Sequence, residues 1–185
     1  AIRNRPVTGL TLPSLTRETE HIALRNGHGY PVTAGRIVST GGLDIAPGEY
    51  GRHFGRRKAE PATPGFPYAP GRHPLYAGPL ARLNLNRDRL GQGARQALSS
   101  CGLTLPCFNP LASVVARAVE LVQATEECAV LLDSLDLREE EGRFDIAAGE
   151  GAAVTESPRG ILYHRYRLDS SGVVRDAEII SPTAH

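Results

Sequence analysis

The chain has 185 residues, 41% of them hydrophobic, which is enough for one domain with its own core. It contains 21 Lys and Arg and 20 Asp and Glu, which gives a formal net charge of +1. Because nucleic acids and anionic membranes attract a basic excess, this balance argues against either as a partner. No apolar run approaches the roughly 20 residues that cross a bilayer. Residues 1–8 lack the apolar block of a signal peptide, so we expect one domain over 1–185 and no membrane insertion.

The sequence contains no Met, so either it is an internal part of a longer protein or its Met residues have been lost. Its three cysteines are Cys101, Cys107 and Cys128, and no Cys-x-x-Cys pair occurs among them. Zinc and iron–sulfur sites usually show such close pairs. We therefore predict three buried, reduced thiols and no metal site made by this chain.

The first half of the chain is rich in turn formers and predicts only short elements. Residues 16–26 form a candidate helix capped by Thr16, and residues 36–39 form a candidate strand. Residues 47–54 predict a further helical turn. Residues 56–74 are basic and then rich in proline, which cannot donate to a helix or a central strand, so we predict a surface excursion there.

Two helices and a hairpin are predicted in the second half. A shorter helix spans about 87–101, interrupted by Gly91 and Gly93. A long helix spans about 110–137, with Asn109 as its cap and Pro110 in its first turn. Its predicted core face consists of Leu111, Val114, Val115, Ala118, Leu121, Val122, Ala129 and Leu132. Two β-branched segments around Asp169 to Gly172 predict a β-hairpin over about 161–180, which makes the fold class α+β with a helical bundle core.

The stretch with most chemical content is residues 155–160, which reads Thr-Glu-Ser-Pro-Arg-Gly. Pro158 restricts the backbone and Gly160 permits a close backbone approach, so Arg159 is held at the mouth of the predicted hairpin. Its guanidinium is a permanent planar donor fork. The hairpin returns the chain to Pro182 and Thr183, and these donors together suit an electron-rich ligand. By itself such a motif is more often a plain turn with a solvated arginine than a ligand site.

These residues resemble the C-terminal core of nickel–iron hydrogenase large subunits. The shared positions are Glu156, Pro158, Arg159, Gly160, His164, Pro182 and Thr183, while Ser157 stands where the family usually has Ala. Residues 78–82 (Gly-Pro-Leu-Ala-Arg) resemble an internal run of the same family. Residues 30–39 and 43–44 are most similar to its cytoplasmic, cofactor-coupled branch.

The resemblance implies a hydrogen-oxidising, proton-reducing enzyme whose Ni–Fe centre carries one carbon monoxide and two cyanide ligands. Four cysteines from two flanking motifs, neither present in this sequence, hold that centre in the family, so we expect no metal in this chain alone. By resemblance, Arg159 and Thr183 donate to the cyanides, and Pro158 and Pro182 shape the apolar cage. Arg159 is also the candidate catalytic residue, since its charge would favour heterolytic splitting of hydrogen.

The resemblance also implies a partner, the iron–sulfur small subunit, and a cytoplasmic location. Because the long helix normally packs in a larger bundle, we further expect a homodimer or marginal stability of this chain alone. His164 is predicted to be a hydrogen-bonded core histidine. Two alternatives stay open: the metal-free, quinone-binding relative in respiratory complex I, and a non-catalytic interaction domain.

Overall fold

The computed structural model describes residues 12–57, 66–137, 142 and 145–184. Within these ranges the fold is α+β, as predicted, with two larger sheets, a two-stranded ribbon and a group of helices. Segment 58–65, part of the predicted excursion, lies outside the described residues. No described helix is long and apolar enough to cross a membrane.

The first sheet has four strands, β1 (Glu20–Arg25), β2 (Arg36–Ser39), β3 (Asp44–Ile45) and, after two intervening strands, β6 (Leu75–Tyr76). Their order across the sheet is β3-β2-β1-β6. β1 pairs antiparallel with β2, with Ile22 opposite Ser39, and parallel with β6, with Glu20 opposite Leu75. The strand predicted at 36–39 is confirmed.

The helix predicted over 16–26 is wrong, because residues 20–25 form β1 in the centre of this sheet. Ile22, Ala23 and Leu24 are all fully buried, so both faces of the strand are covered. A strand buried on both faces shows a continuous apolar run rather than alternation, and such a run cannot be distinguished from a helix by periodicity.

A short helical region follows the first three strands. It consists of a 3-10 turn (Pro47–Glu49) and α1 (Tyr50–His53), which confirms the helical turn predicted at 47–54. The two strands of the ribbon come next, β4 (Gly55–Arg57) and β5 (Phe66–Tyr68), which pair antiparallel. The Tyr50 ring stacks on Tyr163 with 4.3 Å between centroids and so connects this region to the second sheet.

The helices are α2 (Pro79–Asn86), α3 (Gln92–Ser100) and α4 (Ser113–Ser134). α2 was not predicted, and it packs against β1. The helix predicted over 87–101 is divided: residues 87–89 form a 3-10 turn, and α3 begins only after Gly91. The long helix is confirmed. Asn109 accepts a hydrogen bond from the Leu111 amide at 3.0 Å, a 3-10 turn covers Pro110–Ala112, and the helix ends at Ser134.

The face of α4 that we predicted to be buried is largely exposed. Val114 is 75% exposed and Leu132 71%, whereas Ala116, Val119 and Gln123 are buried against the other helices. Small side chains let helices approach closely, so the alanine-containing face is the one that packs. The larger apolar residues are left on the surface of this chain.

The second sheet contains β7 (Gly149–Ser157), β8 (Gly160–Leu168) and β9 (Val174–Ile180) in that order, all antiparallel. The hairpin predicted at 161–180 is confirmed as β8 and β9. Its turn is fixed by Asp169, whose Oδ1 accepts from the amides of Ser171 at 2.8 Å and Val173 at 3.0 Å. β7 was not predicted, and it places Pro158 and Arg159 in a second hairpin turn rather than at an open end.

Two apolar clusters form the core. The first lies between the two larger sheets and includes Ile22, Leu24, Ile37, Val154, Ile161 and Tyr163. The second lies among the helices and includes Leu80, Leu83, Leu90, Ala116 and Val119. β1 therefore lies between the second sheet and the helices, and both contribute residues to the candidate site.

Candidate functional site

Pro158 and Arg159 form the two-residue turn between β7 and β8, with Ser157 paired to Gly160. Both turn residues are exposed. The Ser157 hydroxyl accepts a hydrogen bond from the Arg159 amide at 3.3 Å. In the part of the chain that the structure describes, the Arg159 guanidinium has no hydrogen-bond or ion-pair partner. Its donors are thus available to a ligand.

Two glycines allow this turn to lie directly against the start of α2. Gly160 has a φ of +136°, and a Cβ there would be 2.7 Å from the Cβ of Ala77. Gly78 has a φ of +105°, and a Cβ there would be 3.0 Å from the carbonyl oxygen of Arg159. Side chains at either position would force the two segments apart. The close approach predicted for Gly160 is present, and the segment opposite it is residues 77–78.

A buried guanidinium supports the turn from within the protein. Arg82 of α2, 4% exposed, donates from Nη1 to the Ser157 carbonyl at 2.8 Å and from Nη2 to the Pro158 carbonyl at 3.5 Å. Nη1 also donates to Oε2 of Glu156 at 2.9 Å. The other oxygen of that carboxylate, Oε1, accepts from the Leu24 amide at 2.8 Å. The turn is therefore tied to both α2 and β1.

A second carboxylate completes this network. Glu120 of α4 accepts from Nε and Nη2 of Arg82, both at 2.6 Å, which is the bidentate geometry of a strong ion pair. Tyr30 donates its hydroxyl to Oε1 of Glu120 at 2.5 Å. We name Tyr30, Arg82, Glu120 and Glu156 the Arg82 network. It joins the segment after β1, α2, α4 and β7.

The charges of the Arg82 network shift the acidities of its members. Burial alone would lower the pKa of Arg82, but its hydrogen bonds to Glu120 and the charges of Glu120 and Glu156 raise that pKa above its ordinary value. Burial raises the pKa of Tyr30, and the adjacent Glu120 raises it further. Burial also raises the pKa of Glu156, and the charge of Arg82 opposes this shift. At neutral pH the phenol is protonated and the guanidinium charged.

A cavity of about 220 Å³ borders the network and the turn. Its wall includes Tyr30, Arg82, Glu120, Glu156, Ser157 and Pro158. Leu121 and Ala124 of α4 also line it. The turn is therefore not packed solidly on this side, and hydrogen bonds hold it there instead.

The other two predicted site residues lie at the same end of the second sheet. Pro182 and Thr183 belong to the 3-10 turn Pro182–Ala184, which is separated from β9 by Ser181 alone. β9 ends with Ile180 opposite Tyr163, so the chain leaves the sheet near the start of β8, where Arg159 and Gly160 lie. Thr183 is exposed, and its hydroxyl lies 3.2 Å from that of Ser181. The structure gives no direct hydrogen bond between Arg159 and Thr183.

The histidines and cysteines form no metal site in the described ranges, where no group of three or more His, Cys, Asp or Glu side chains could hold an ion. His164 is hydrogen-bonded, with Nδ1 2.8 Å from the Tyr166 hydroxyl, but it is half-buried rather than in the core. Cys101 and Cys107 are half-buried, and Cys128 is exposed on α4, so the prediction of a buried thiol is wrong there. Position 128 belongs to the uncovered part of that helix.

The sequence analysis missed the Arg82 network. Arg82 stands in an apolar run, Pro79 to Leu83, and a buried arginine requires carboxylate partners. That signal was present, but nothing in a single sequence selects which carboxylates they are. The predicted core face of the long helix included neither Glu120 nor Gln123, whereas Gln123 is buried and donates to Glu127 at 2.8 Å.

Comparisons with known proteins show similarity to subunits of hydrogenases. No protein-family model matches the sequence. The chain is 32% identical over 136 residues to the F420-non-reducing hydrogenase vhu of Methanocaldococcus jannaschii, covering 64% of this chain and 32% of the matched subunit. It is 28% identical over 168 residues to the alpha subunit of sulfhydrogenase 1 of Pyrococcus furiosus, covering 89% and 39%. It is 32% identical over 146 residues to the beta subunit of the NAD-reducing hydrogenase HoxS of Cupriavidus necator, covering 73% and 30%.

Solved structures agree in fold. An NAD+-reducing [NiFe]-hydrogenase in its H2-reduced state matches with a TM-score of 0.72 at 24% identity, covering 92% of this chain and 41% of that one. The Ni-Fe-Se hydrogenase of D. vulgaris Hildenborough matches with a TM-score of 0.57 at 18% identity, covering 89% and 42%. The chain spans about a third of the length of the curated relatives it matches. It is therefore similar in sequence to subunits of hydrogenases, which are oxidoreductases, and it has the fold of part of a nickel–iron hydrogenase chain.

Proposed function

We propose that this chain is part of the catalytic large subunit of a nickel–iron hydrogenase, which oxidises hydrogen and reduces protons. One observation carries the proposal: the Pro158–Arg159 turn presents a guanidinium without a partner among the described residues, at the end of the sheet where Pro182 and Thr183 also lie. The similarity to hydrogenase subunits supports it from the sequence side.

The residues fit the outer part of a Ni–Fe centre. Two cyanide ligands in a dry pocket require hydrogen-bond donors, and an unpaired charged acceptor would cost more than about 1–3 kcal/mol. Arg159 supplies a charged planar fork, and Thr183 supplies a hydroxyl. The thiolate ligands of the metals are not among the described residues, where no metal-holding cluster occurs. We propose that other parts of the complete protein supply them.

In this proposal the chain's residues orient the group and control its surroundings. Arg159 and Thr183 would hold the cyanide ligands by hydrogen bonds and would so orient the group. Pro158 and Pro182 have no backbone N–H and form apolar walls that exclude water from the cage. When bound, the Ni–Fe centre supplies the hydrogen-binding and redox chemistry.

Arg159 has a further role in this proposal, as a fixed positive charge beside the reacting position. A preorganised charge in a dry site stabilises negative charge without reorganisation, so Arg159 would favour the heterolytic splitting of hydrogen that the bound centre would supply. The guanidinium remains protonated throughout, because arginine is hardly deprotonated in proteins. Arg159 therefore acts by charge and hydrogen bonding rather than as a base.

The partners follow from the same proposal. We propose the iron–sulfur small subunit for electron transfer, and a cytoplasmic location. The exposed apolar residues of α4, among them Val114, Leu121 and Leu132, would be covered by the remainder of the large subunit. In this chain alone, the same face would favour self-association into a homodimer.

The test is hydrogen-dependent dye reduction by the complete protein that contains this chain, purified with its nickel and iron. We expect hydrogen oxidation and an infrared spectrum with one carbon monoxide and two cyanide bands. A complete protein with neither hydrogen oxidation nor cyanide bands contradicts the proposal. The metal-free, quinone-binding alternative predicts that negative result.

A further inference from the structure

We propose that Arg82 is the positioning residue of the site: it fixes the backbone of the Pro158–Arg159 turn and thereby places the Arg159 guanidinium. The inference rests on the proposed function, because it assigns to Arg82 and its partners the task of orienting a group that contacts the Ni–Fe centre. Arg82 itself is buried and points its donors at the turn backbone, so it acts through Arg159.

Arg82 contacts the backbone that leads directly into the turn. It donates to the two carbonyls immediately before Arg159, those of Ser157 at 2.8 Å and Pro158 at 3.5 Å. It also donates to Glu156 at 2.9 Å, the residue just before them. One side chain thus contacts three successive residues. A displacement of the guanidinium would displace the backbone from which Arg159 extends.

Arg82 is itself held in place. Glu120 binds Nε and Nη2 at 2.6 Å each, which fixes the plane of the guanidinium as well as its position. Tyr30 then donates to Glu120 at 2.5 Å, so the carboxylate has a fixed orientation too. Each of these hydrogen bonds joins segments that are distant in the chain. The turn is therefore held by the helices and not only by its own sheet.

The turn lacks solid packing on one side. Pro158 and Ser157 line the cavity of about 220 Å³, together with Arg82 and Glu120. Where side chains interdigitate, packing can hold a loop without hydrogen bonds. Here the cavity side offers no such support. On that side the backbone leading into the turn is held by the hydrogen bonds of Arg82 and by that of the Glu156 amide to the Val32 carbonyl at 2.7 Å, and only those of Arg82 reach the turn carbonyls themselves.

The geometry requires an arginine. Three different nitrogens of Arg82 serve acceptors on α4, β7 and the turn, and a planar fork presents them in fixed directions. A lysine has one nitrogen, so Arg82→Lys keeps the charge but cannot span Glu120 and the turn carbonyls together. Arg82→Lys therefore distinguishes the effect of the positive charge, which it keeps, from the positioning of the turn, which it removes.

The experiment compares the assembled enzyme with Arg82→Lys and with Tyr30→Phe, a milder change that removes only the hydroxyl bound to Glu120. Arg36→Lys is the matched control, since it alters an exposed ion pair with Asp44 that includes no residue of the turn or of the Arg82 network. Amide hydrogen exchange of residues 154–162, the cyanide infrared bands and hydrogen turnover are measured for each. Hydrogen exchange measures how firmly the turn backbone is held, and this measurement does not depend on enzyme activity.

We expect Arg82→Lys to speed hydrogen exchange of the turn amides and to shift the same cyanide band that Arg159→Lys shifts. It should also lower turnover roughly 10²-fold, which is the loss expected when a reacting group is misplaced by about 1 Å. Tyr30→Phe should show the same pattern with roughly a fivefold loss, since one hydrogen bond is removed. If the enzyme with Arg82→Lys does not assemble, the Tyr30→Phe variant provides the test instead. In the double variant Arg82→Lys with Arg159→Lys, turnover should equal that of Arg159→Lys alone.

Unchanged exchange at the turn, or losses that multiply in the double variant, would overturn the positioning role while the wild-type cyanide bands keep the proposed function intact. Failure of the proposed function is distinguishable, because the wild-type protein itself would then lack those bands. In that case the proposed role of Arg82 is also wrong, whatever the exchange data show, because it depends on the proposed function. A similar turnover loss in Arg36→Lys would also count against the assignment.

Discussion

The stability of this protein should depend on pH through His21, a buried imidazole in β1. The Asn84 side chain is oriented by backbone contacts with Cys107: its Oδ1 accepts from the amide at 2.9 Å, and its Nδ2 donates to the carbonyl at 2.7 Å. Nδ2 also lies 2.8 Å from Nδ1 of His21 and must donate to it. The imidazole therefore accepts at Nδ1 and is neutral.

The ring of His21 is packed between two aromatic side chains. His21 lies between Tyr76 and Phe108, each with its centroid 4.8 Å away. Burial lowers the pKa of His21 to about 4. The unfolded imidazole takes up a proton near its ordinary pKa of about 6.5, so the unfolded state binds more protons between the two values. Above pH 6.5 His21 is neutral in both states and does not reduce the free energy of unfolding. As the pH falls toward 4, protonation of the unfolded state progressively lowers that free energy.

The magnitude follows from the two pKa values. Between pH 7.5 and pH 5 the free energy of unfolding should fall by about 2 kcal/mol through this group alone, and by about 3 kcal/mol once the pH is below 4. Urea unfolding at both pH values measures the change in wild type and in His21→Phe. The variant should be less stable at pH 7.5, because Asn84 loses an acceptor, but its pH dependence should be smaller by about 2 kcal/mol.

The control is His28→Phe, which changes an exposed side chain outside the core and should retain the wild-type pH dependence. Comparing variants at two pH values cancels the contribution of all other titrating groups. An equally steep pH dependence in His21→Phe and wild type would refute the neutral, buried imidazole.

In the assembled enzyme, Arg159→Lys should permit assembly but lower hydrogen-dependent dye reduction by roughly 10²–10³, since the planar fork is lost; near-normal turnover would make Arg159 a plain turn arginine. Gly160→Ala should lower the free energy of unfolding in urea by more than about 2 kcal/mol, because its Cβ would lie 2.7 Å from that of Ala77, while Gly151→Ala in open space of the same sheet should be neutral or stabilising. Equal effects of the two glycine substitutions would contradict the close approach. Leu132→Glu on the exposed face of α4 should leave unfolding within about 0.5 kcal/mol and reduce self-association in light scattering; strong destabilisation would show that this face is covered within the chain. The chain alone should bind no stoichiometric nickel in elemental analysis, and nickel at one per chain would contradict the placement of the metal ligands elsewhere.

The elements with local signals were predictable from the sequence. Asn109 and Pro110 mark the start of the long helix by capping chemistry, and Asp169 to Gly172 mark the turn between β8 and β9. In both places the residues that shape the structure are neighbours in the chain. The predicted bounds were correspondingly close.

The elements that depend on distant contacts were not predictable in the same way. β1 is covered by the second sheet on one side and by α2 on the other, which removes the alternation that identifies strands. The orientation of α4 is set by Ala116, Val119 and Gln123, which are buried against the other helices, while Val114, Leu121 and Leu132 stay exposed. Periodicity shows that a helix has an apolar face but not whether this chain or another covers it.

The candidate site likewise contains residues that the sequence identifies and residues that only the fold brings together. The turn residues Pro158 and Arg159 and the later Thr183 could be selected from the sequence by resemblance. The support under the turn could not, because Arg82 lies 74 residues from Glu156 and 38 from Glu120. Pairings at such separation leave no pattern in a single sequence. Only the fold brings those charges together.

Infrared spectroscopy of Thr183→Val in the assembled enzyme tests most directly whether this chain donates hydrogen bonds to the cyanide ligands of a Ni–Fe centre. Removing one neutral hydrogen bond, worth about 1 kcal/mol, should keep most of the activity and the carbon monoxide band while moving one cyanide band. Thr125→Val on the exposed side of α4 is the matched control and should leave all bands in place. A shift confined to Thr183→Val is the predicted result, and cyanide bands unmoved by it would contradict these hydrogen bonds.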